Sequence, residues 1–213
     1  MASEFTKLFD DWSKTYDDTV AGTDPEYREV FAHYEEILQS VADKAEGLIL
    51  EFGVGTGNLT ERILRQGKEL IGYEPSGEMR KIAAKKLPGL TLFHGDFLEF
   101  PVPERSPDTI VSTYAFHHLT DEDKKVAISR YHGLLSPQGK IVFADTVFAN
   151  KEAKEKMIQD ALEKNYDRLA EDLKTEYYTT IPVLTEFFEE IGFEAEFTRK
   201  NDFVWLIEAV KKG

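Results

Sequence analysis

The chain has 213 residues, no cysteine and a formal net charge of −14 at pH 7. The length predicts one domain, and an apolar fraction of 41% is enough for a sizeable core. The acidic balance disfavours nucleic acid and anionic membrane surfaces as partners, because both bind clustered Lys and Arg. The lack of cysteine excludes disulfides, thiolate metal sites and a cysteine nucleophile. Because no apolar run reaches membrane-spanning length and the N-terminus lacks a signal-peptide core, we expect a cytoplasmic location.

Residues 1–45 are predicted to form a helical segment that packs beside the rest of the fold. A second helix in this segment is expected to begin at Asp24, as N-cap, and Pro25, in the first turn, and to continue to Val41. A first, amphipathic helix is indicated within residues 3–20 by apolar side chains that recur every three or four positions, at Phe5, Leu8, Phe9, Trp12 and Tyr16.

The centre of the chain has the order strand, glycine turn, helix. Residues 48–52 (LILEF) form the near-continuous apolar run of a strand that is buried on both faces. Gly53, Gly55 and Gly57 follow at alternate positions, where glycine permits positive φ and a close approach of the backbone to a ligand. A helix is predicted over residues 58–66, and the free N–H groups at its start favour an anionic or hydrogen-bond-accepting ligand group.

Further strands and helices alternate along the chain, which predicts a parallel sheet with helices on both faces. Ser76 and Thr120 are expected to cap two of the helices. One strand ends at Glu74, about 20 residues after the first glycine, where a nucleotide ribose is held by a carboxylate. The predicted strands are 68–73, 90–94, 108–113 and 140–145, and the predicted helices are 76–86 and 121–134.

The last part of the chain is predicted to add two helices and a hairpin. Residues 150–175 are the most polar stretch and indicate a solvated helix with intrahelical charge pairs. A second helix is expected over residues 181–191. Residues 193–197 and 201–210 then form two strands separated by a turn, so that one strand of an otherwise parallel sheet is antiparallel.

Four motifs at the predicted strand ends resemble those of the class I methyltransferases that use S-adenosylmethionine. They are residues 51–57 (EFGVGTG), 73–75 (YEP), 95–97 (GDF) and 112–119 (STYAFHHL). Over its full length the chain is similar to the YrrT-type family of bacterial methyltransferases. The resemblance implies a Rossmann-like α/β fold with a mostly parallel seven-stranded sheet and a C-terminal antiparallel hairpin strand. It also implies S-adenosylmethionine as cofactor and a small-molecule methyl acceptor.

The resemblance assigns cofactor-binding roles to residues at these strand ends. Glu51 would accept, directly or through water, from the ammonium group of the methionine part, and Glu74, followed by Pro75, would accept from both ribose hydroxyls. Asp96 would accept from the adenine amino group, while the backbone N–H of Phe97 donates to the ring. A solvated strand-end charge at Glu51 and a core position for Phe97 are the structural alternatives. The other expected cofactor-binding residues are Tyr16, Gly53, Gly55, Thr56, Gly57 and Ser112.

The loop after the fourth strand lies where the methyl acceptor and the methionine moiety would meet. Tyr114, His117, Asp145 and Tyr178 are expected to line the acceptor pocket, and His117 is the candidate general base. A structural role is the alternative for the pair His117 and His118, and the sequence places no third ligand at metal-binding spacing beside them. Because the cofactor supplies the reactivity of methyl transfer, no particular catalytic residue is required.

Residues 10–17 resemble the segment that folds over the cofactor in many small methyltransferases. In that interpretation Trp12 and Tyr16 shield the sulfonium from water. The alternative is an amphipathic helix that only caps the sheet.

Two other classes of function stay open at this point. A nicotinamide-dependent oxidoreductase uses the same strand–glycine–helix arrangement, but its Gly-x-Gly-x-x-Gly motif requires glycine at position 58, where Asn58 stands. The third hypothesis is a binding module that holds the cofactor without turnover.

Overall fold

The aliphatic runs that predicted strands do form strands, and all of them join one seven-stranded sheet in the computed structural model, which describes residue 13 and residues 15–213. The strands are β1 (Leu48–Phe52), β2 (Glu69–Tyr73), β3 (Thr91–Phe93), β4 (Thr109–Thr113), β5 (Lys140–Thr146), β6 (Phe193–Arg199) and β7 (Val204–Lys211). Their order is β3-β2-β1-β4-β5-β7-β6, with β7 antiparallel to both neighbours and every other pair parallel. The predicted Rossmann-like α/β fold with a C-terminal antiparallel strand is confirmed.

Helices lie between the strands, and two of them begin at the predicted caps. The Ser76 hydroxyl accepts from the Met79 N–H, and the Thr120 hydroxyl accepts from the Asp123 N–H. None of the helices in residues 13 and 15–213 is long and apolar enough to cross a membrane. The helices are α1 (Tyr16–Val20), α2 (Tyr34–Lys44), α3 (Asn58–Arg65), α4 (Gly77–Lys86), α5 (Asp121–Leu134), α6 (Lys151–Glu163), α7 (Asp167–Thr175) and α8 (Ile181–Ile191), with a 3₁₀ turn at Phe116–His118.

Two layers of helices cover the two faces of the sheet, which explains why every residue of β1 is buried. Side chains alternate between the faces, as the pleat of a strand requires. Ile49 belongs to the core layer that contains α2, whereas Leu50 and Phe52 belong to the opposite layer. Helices α5 and α8 contribute to that second layer through residues such as Tyr131 and Phe188.

The second predicted helix begins later than expected. Residues 25–33 form irregular turns, and α2 begins after His33, whose φ is 63°. Asp24 does not cap a helix: its Oδ1 accepts from the Glu26 N–H at 3.1 Å and from Arg168 Nη2 at 2.9 Å. Because Arg168 belongs to α7, a long-range ion pair holds the start of this segment in a turn, which the local sequence does not reveal.

The polar stretch 150–175 forms two helices instead of one. Asn165 takes the left-handed conformation, with φ 58°, between the end of α6 and the start of α7. Asn is among the few residues that tolerate this conformation. The break turns α7 so that Leu169 and Leu173 reach the core layer that contains α2.

Only part of the N-terminal prediction falls within the described residues. α1 is helical as expected and contains Tyr16, whereas Trp12 lies outside the described residues. That residues 1–213 form a single domain, with 1–45 as a lid or packing segment, stays a prediction.

The carboxyl ends of β1, β2, β4 and β5 lie at the same edge of the sheet. From β1 the chain continues to β2 on one side, while β4 continues to β5 on the other. This is the switch point in strand order, where open α/β sheets bind their ligands. Gly53, Glu74 and Tyr114 directly follow three of these strands, and Asp145 lies near the end of the fourth.

Candidate functional site

The turn after β1 is built from glycines in backbone conformations that other residues avoid. Gly53 has a φ of 70° and Gly55 a φ of 57°. A Cβ on Gly53 would lie 2.8 Å from Ala115 Cβ, so the loop after β4 also requires glycine here. A Cβ on Gly55 would meet nothing within 4 Å. The predicted glycine turn is confirmed, and Gly57 ends it immediately before α3.

A cleft, called the central cleft below, lies over this turn. Of its lining residues, Met79 carries no signal of binding in the sequence, whereas Thr113, Ala115 and His118 lie in the 112–119 motif but were not among the predicted site residues. Small or apolar residues such as Met79 have the same sequence pattern whether they face a core or a ligand. The lining residues that were expected at the site are Tyr16, Gly53, Gly55, Glu74, Pro75 and Tyr114.

Glu74 is buried at the wall of the central cleft, where its carboxylate closes the glycine turn. Its Oε2 accepts from the Gly55 N–H and its Oε1 accepts from the Ser76 N–H, each at 2.8 Å. Two backbone donors on one carboxylate fix its orientation. A carboxylate oxygen can accept two hydrogen bonds, so this anchoring is compatible with further bonds to ribose hydroxyls.

Glu51 lies in β1 just before the glycines and is 1% exposed. Its Oε2 accepts from the Thr60 hydroxyl at 2.7 Å. Burial raises the pKa of the Glu51 carboxyl to about 8. The expected alternative of a solvated strand-end charge is therefore wrong, because this carboxyl is inside the protein.

Helix α1 is tied to the glycine turn by Asp17, a residue that the sequence analysis did not single out. Asp17 Oδ1 accepts from the Thr56 hydroxyl at 2.7 Å and from Asn58 Nδ2 at 3.0 Å. These bonds hold the neighbouring Tyr16 at the central cleft. Thr56 thus contacts α1, and its direct role toward the cofactor stays a prediction.

Asp96 and Phe97 do not line the central cleft. Asp96 Oδ1 accepts from the N–H groups of Leu98 and Glu99, each at 2.8 Å, and so closes a turn. The Phe97 ring is buried and stacks on Phe52 with the centroids 5.7 Å apart, which is the core position that was weighed as the alternative. The adenine contacts of Asp96 and of the Phe97 N–H stay predictions.

A second wall of the central cleft begins with Tyr114, which directly follows β4. Its φ is 54°, a left-handed conformation that is uncommon for an aromatic residue. Residues in such rare conformations are often found at functional sites. The ring packs against Phe31 and Tyr34, with centroids 5.1 and 5.5 Å away. Within residues 13 and 15–213, the Tyr114 hydroxyl and the nearby Ser112 hydroxyl are buried without a hydrogen bond.

Behind this wall His117 lies between two carboxylates. Its Nδ1 is 2.5 Å from Asp145 Oδ1, its backbone N–H donates to Asp145 Oδ2 at 3.0 Å, and its Nε2 is 3.0 Å from Glu176 Oε2. Burial alone would lower the pKa of His117, but the two carboxylates outweigh it and raise this pKa to about 10. The imidazole is therefore protonated at neutral pH, and a general-base role for His117, which stays a prediction, requires this proton to leave first.

His118 rather than His117 reaches the central cleft. Burial and the neighbouring charge of His117 lower the pKa of His118 to about 3, so its ring is neutral. Its Nδ1 lies 3.7 Å from Glu176 Oε2. The Tyr178 ring stacks on His117 with the centroids 4.8 Å apart, which encloses the pair from the other side.

Glu176, which no spacing in the sequence marks, places a carboxylate oxygen beside both histidine rings. Its position depends on Lys124, which is buried in α5. Lys124 Nζ donates to the carbonyl oxygens of Leu119 at 2.6 Å and Tyr177 at 2.5 Å. These bonds join the end of the 3₁₀ turn to the segment after α7. No local pattern in the sequence signals this link.

Comparison with known proteins identifies the family. A family model for a methyltransferase domain matches residues 49–139. Over the whole of both chains, the protein is 56% identical to an uncharacterised methyltransferase of Bacillus cytotoxicus and to another of Bacillus cereus. The chain is a class I S-adenosylmethionine-dependent methyltransferase. Its cofactor is thus S-adenosylmethionine and not a nicotinamide nucleotide.

Solved structures share the fold of this methyltransferase at low sequence identity. The magnesium protoporphyrin IX methyltransferase of Synechocystis, solved with S-adenosylhomocysteine, has a TM-score of 0.71 and is 16% identical, with 98% of this chain and 100% of that chain covered. A possible histamine N-methyltransferase of Thermotoga maritima has a TM-score of 0.64 and is 19% identical, with 94% and 98% covered. At these identities the likeness concerns the fold alone.

Proposed function

We propose that this methyltransferase transfers the methyl group of S-adenosylmethionine to a small-molecule acceptor that binds beside Tyr114 and His118. The observation that carries the proposal is that side chains from two distant segments line one cleft over the glycine turn. Tyr16 comes from α1, and Tyr114 and His118 come from the loop after β4. Such a concave, partly apolar site suits a small ligand. The net charge of −14 further disfavours nucleic acid as the acceptor.

The residues at the strand ends fit the cofactor. Glu74 presents a carboxylate that is oriented by two backbone N–H groups and suits the ribose. Gly55 leaves open space above the turn, and the buried Ser112 hydroxyl has no hydrogen bond among the described residues, which suits a ligand group. In this proposal Glu51 binds the ammonium of the methionine part and Asp96 binds the adenine amino group.

The protein positions the acceptor relative to the cofactor and excludes water, and it takes no covalent part in the reaction. The bound cofactor supplies an activated methyl group, and transfer needs the acceptor atom in line with it. Tyr16, held by the bonds of Asp17, limits the access of water from one side. Tyr114, fixed between Phe31 and Tyr34, orients the acceptor through its hydroxyl.

The test measures release of S-adenosylhomocysteine from S-adenosylmethionine with a panel of small thiols, phenols, amines and carboxylic acids. Transfer RNA and bulk protein serve as competing acceptor classes. We expect turnover with small molecules alone. Turnover only with RNA or protein would overturn the proposal, and tight cofactor binding without any turnover would favour the binding-module hypothesis.

Tyr114→Phe tests the role of Tyr114 in acceptor binding, because it removes only the phenolic hydroxyl. Because the hydroxyl is buried without a hydrogen bond within the described chain, we expect its loss to raise KM for the acceptor about 10-fold, an effect of roughly 1.4 kcal/mol, while cofactor affinity is kept. Tyr177→Phe is the matched control, because Tyr177 is 45% exposed. Equal KM values for the two variants would contradict the role of Tyr114.

A further inference from the structure

Two distant segments bring together three side chains of the types that bind transition metals. His117 and His118 come from the 3₁₀ turn after β4, and Glu176 follows α7. One ligand atom from each lies within 4.8 Å of the other two. The closest approaches are 3.0 Å between His117 Nε2 and Glu176 Oε2, and 3.7 Å between His118 Nδ1 and Glu176 Oε2. The Glu176 oxygen therefore lies beside both rings.

The Glu176 carboxylate is paired with His117 but has one oxygen without a well-directed hydrogen bond among the described residues. Glu176 Oε2 is buried, and within residues 13 and 15–213 it makes no hydrogen bond. It lies 3.0 Å from His117 Nε2, but the two atoms are not aligned as donor and acceptor. Burial alone would raise the pKa of Glu176, but the neighbouring charge of His117 outweighs it and lowers this pKa to about 2. A metal ion that displaces the His117 proton would compensate the same carboxylate charge.

A histidine that binds a metal usually donates its other ring N–H to a carboxylate or carbonyl oxygen, and Asp145 is placed to accept from His117 in this way. Its Oδ1 lies 2.5 Å from His117 Nδ1, and its Oδ2 accepts from the backbone N–H of the same residue. A carboxylate behind the ring fixes the tautomer and leaves Nε2 directed at the ion. Asp145 thus contacts one nitrogen of the His117 ring, and the other nitrogen faces Glu176, where a metal ion would bind.

The charges of the cluster also suit a divalent cation. Asp145 is 2% exposed and the side chain of Glu176 is 12% exposed, so two carboxylates share one poorly solvated region. Lys124, the buried cation nearby, already pairs with Asp121 and donates to two carbonyl oxygens. Metal binding displaces a proton from its histidine ligand. With His117 neutral, a divalent ion balances the two carboxylates.

We propose that His117, His118 and Glu176 bind a divalent transition-metal ion of the zinc type, with Asp145 orienting His117 from behind. Two imidazoles and one carboxylate form a donor set that suits Zn²⁺ and its first-row neighbours rather than Mg²⁺ or Ca²⁺. Three protein ligands leave one position of a four-coordinate ion open. Because His118 also lines the central cleft, an oxygen, nitrogen or sulfur donor of a bound acceptor is within reach of that position.

The experiment measures binding of Zn²⁺ and Co²⁺ to untagged full-length protein by calorimetry and by the visible absorption of Co²⁺. The chain has no cysteine and only five histidines, so competing sites are few. We expect one ion per chain, and at least 100-fold weaker binding in His118→Ala and in Glu176→Gln. Asp145→Asn is expected to weaken binding about 10-fold or more, because it removes the carboxylate that accepts from His117.

His33→Ala is the matched control, because His33 also pairs with a glutamate, at 2.7 Å from Glu36, but is exposed. Its metal affinity should equal that of the wild type. Circular dichroism checks that each variant folds, and S-adenosylhomocysteine binding by Glu176→Gln reports the cofactor site separately. Absence of binding in the folded wild type, or equal affinity in His33→Ala and both ligand variants, overturns the metal site without touching the proposed methyl transfer.

Discussion

The two halves of the central cleft are held by different interactions. In the half beside β1 and β2, backbone N–H groups of Gly55 and Ser76 orient the carboxylate of Glu74. In the half beside β4 and β5, buried side-chain charges orient one another, with His117 between Asp145 and Glu176. The first half joins residues that follow consecutive strands, whereas the second also needs the segment after α7.

This difference indicates which property each half controls. Glu74 lines the central cleft, where water can reach a backbone N–H group that its removal frees, so its loss should mainly affect ligand binding. The buried Asp145 carboxylate accepts from the backbone N–H groups of His117 and Thr146 and pairs with the His117 ring, so its loss should mainly affect stability. Substitutions at Asp145, Glu74 and Glu51 test this contrast, from the largest expected effect to the smallest.

Asp145→Asn should give the largest loss of stability. Removing this charge breaks the buried pair with His117 and should lower the free energy of unfolding by roughly 3 kcal/mol. For a chain of this size that is a fall in Tm of about 6–12 °C. Thermal unfolding in the presence of a chelator measures the effect without any contribution from metal.

Asp202→Asn is the control for that loss. Asp202 also forms an ion pair, at 2.7 Å from Arg199, but its side chain is 72% exposed. Exposed pairs contribute little, so we expect a change within about 0.5 kcal/mol. Equal Tm values for the two variants would show that the half of the cleft beside β4 and β5 does not depend on its buried charges.

Glu74→Ala should remove cofactor binding while the protein stays folded. Without this carboxylate, the ribose loses its acceptor and the glycine turn loses its anchor. We expect S-adenosylhomocysteine to bind at least 100-fold more weakly, a change of about 2.7 kcal/mol, by calorimetry. Glu69→Ala, at the exposed start of the same strand, should bind normally. Unchanged affinity in Glu74→Ala would refute the cofactor site.

Glu51 should make the stability of the ligand-free protein depend on pH. Burial raises its pKa from an ordinary value of 4.5 to about 8. Between these values the native state binds more protons than the unfolded chain, so the free energy of unfolding falls as pH rises. From pH 6 to pH 8 this carboxyl should lower it by roughly 2 kcal/mol.

Urea unfolding of the wild type and of Glu51→Gln at pH 6, 7 and 8 measures this slope. The amide cannot ionise, so the variant should lose the contribution and be the more stable protein at pH 8. Its S-adenosylhomocysteine affinity should nevertheless be lower, because the neutral amide cannot pair with an ammonium. Parallel pH profiles for the two proteins would mean that the Glu51 carboxyl is not desolvated.

Most of the fold could be predicted because its signals are local. The apolar run of β1, the caps Ser76 and Thr120 and the glycines after β1 each involve atoms only a few residues apart. The errors occur where a distant residue intervenes. Asp24 has the sequence of a helix cap, but Arg168 holds it in a turn, and so α2 begins later.

In the candidate site as well, residues with a local sequence signal could be predicted, whereas residues placed by distant contacts could not. Glu74 could be placed by its distance from the glycines, because a parallel β–α–β unit fixes how far apart the two strand ends lie in sequence. Glu176 could not be placed, since it stands in a polar segment without any motif. Lys124 and Asp17 were also missed, because a single charged residue on a helix usually faces solvent.

The sequence by itself predicted a parallel α/β sheet, through hydrophobic periodicity and turn chemistry, which are properties of short stretches. The cofactor was implied by the resemblance of four strand-end motifs to those of class I methyltransferases, and these motifs are equally local. Only the tertiary structure decided that Glu176 meets His117 and His118, and that Asp17 ties α1 to the glycine turn. The reason is physical: hydrogen bonds and ion pairs between distant segments depend on how the chain packs, and the residues that make them show no spacing that marks them beforehand.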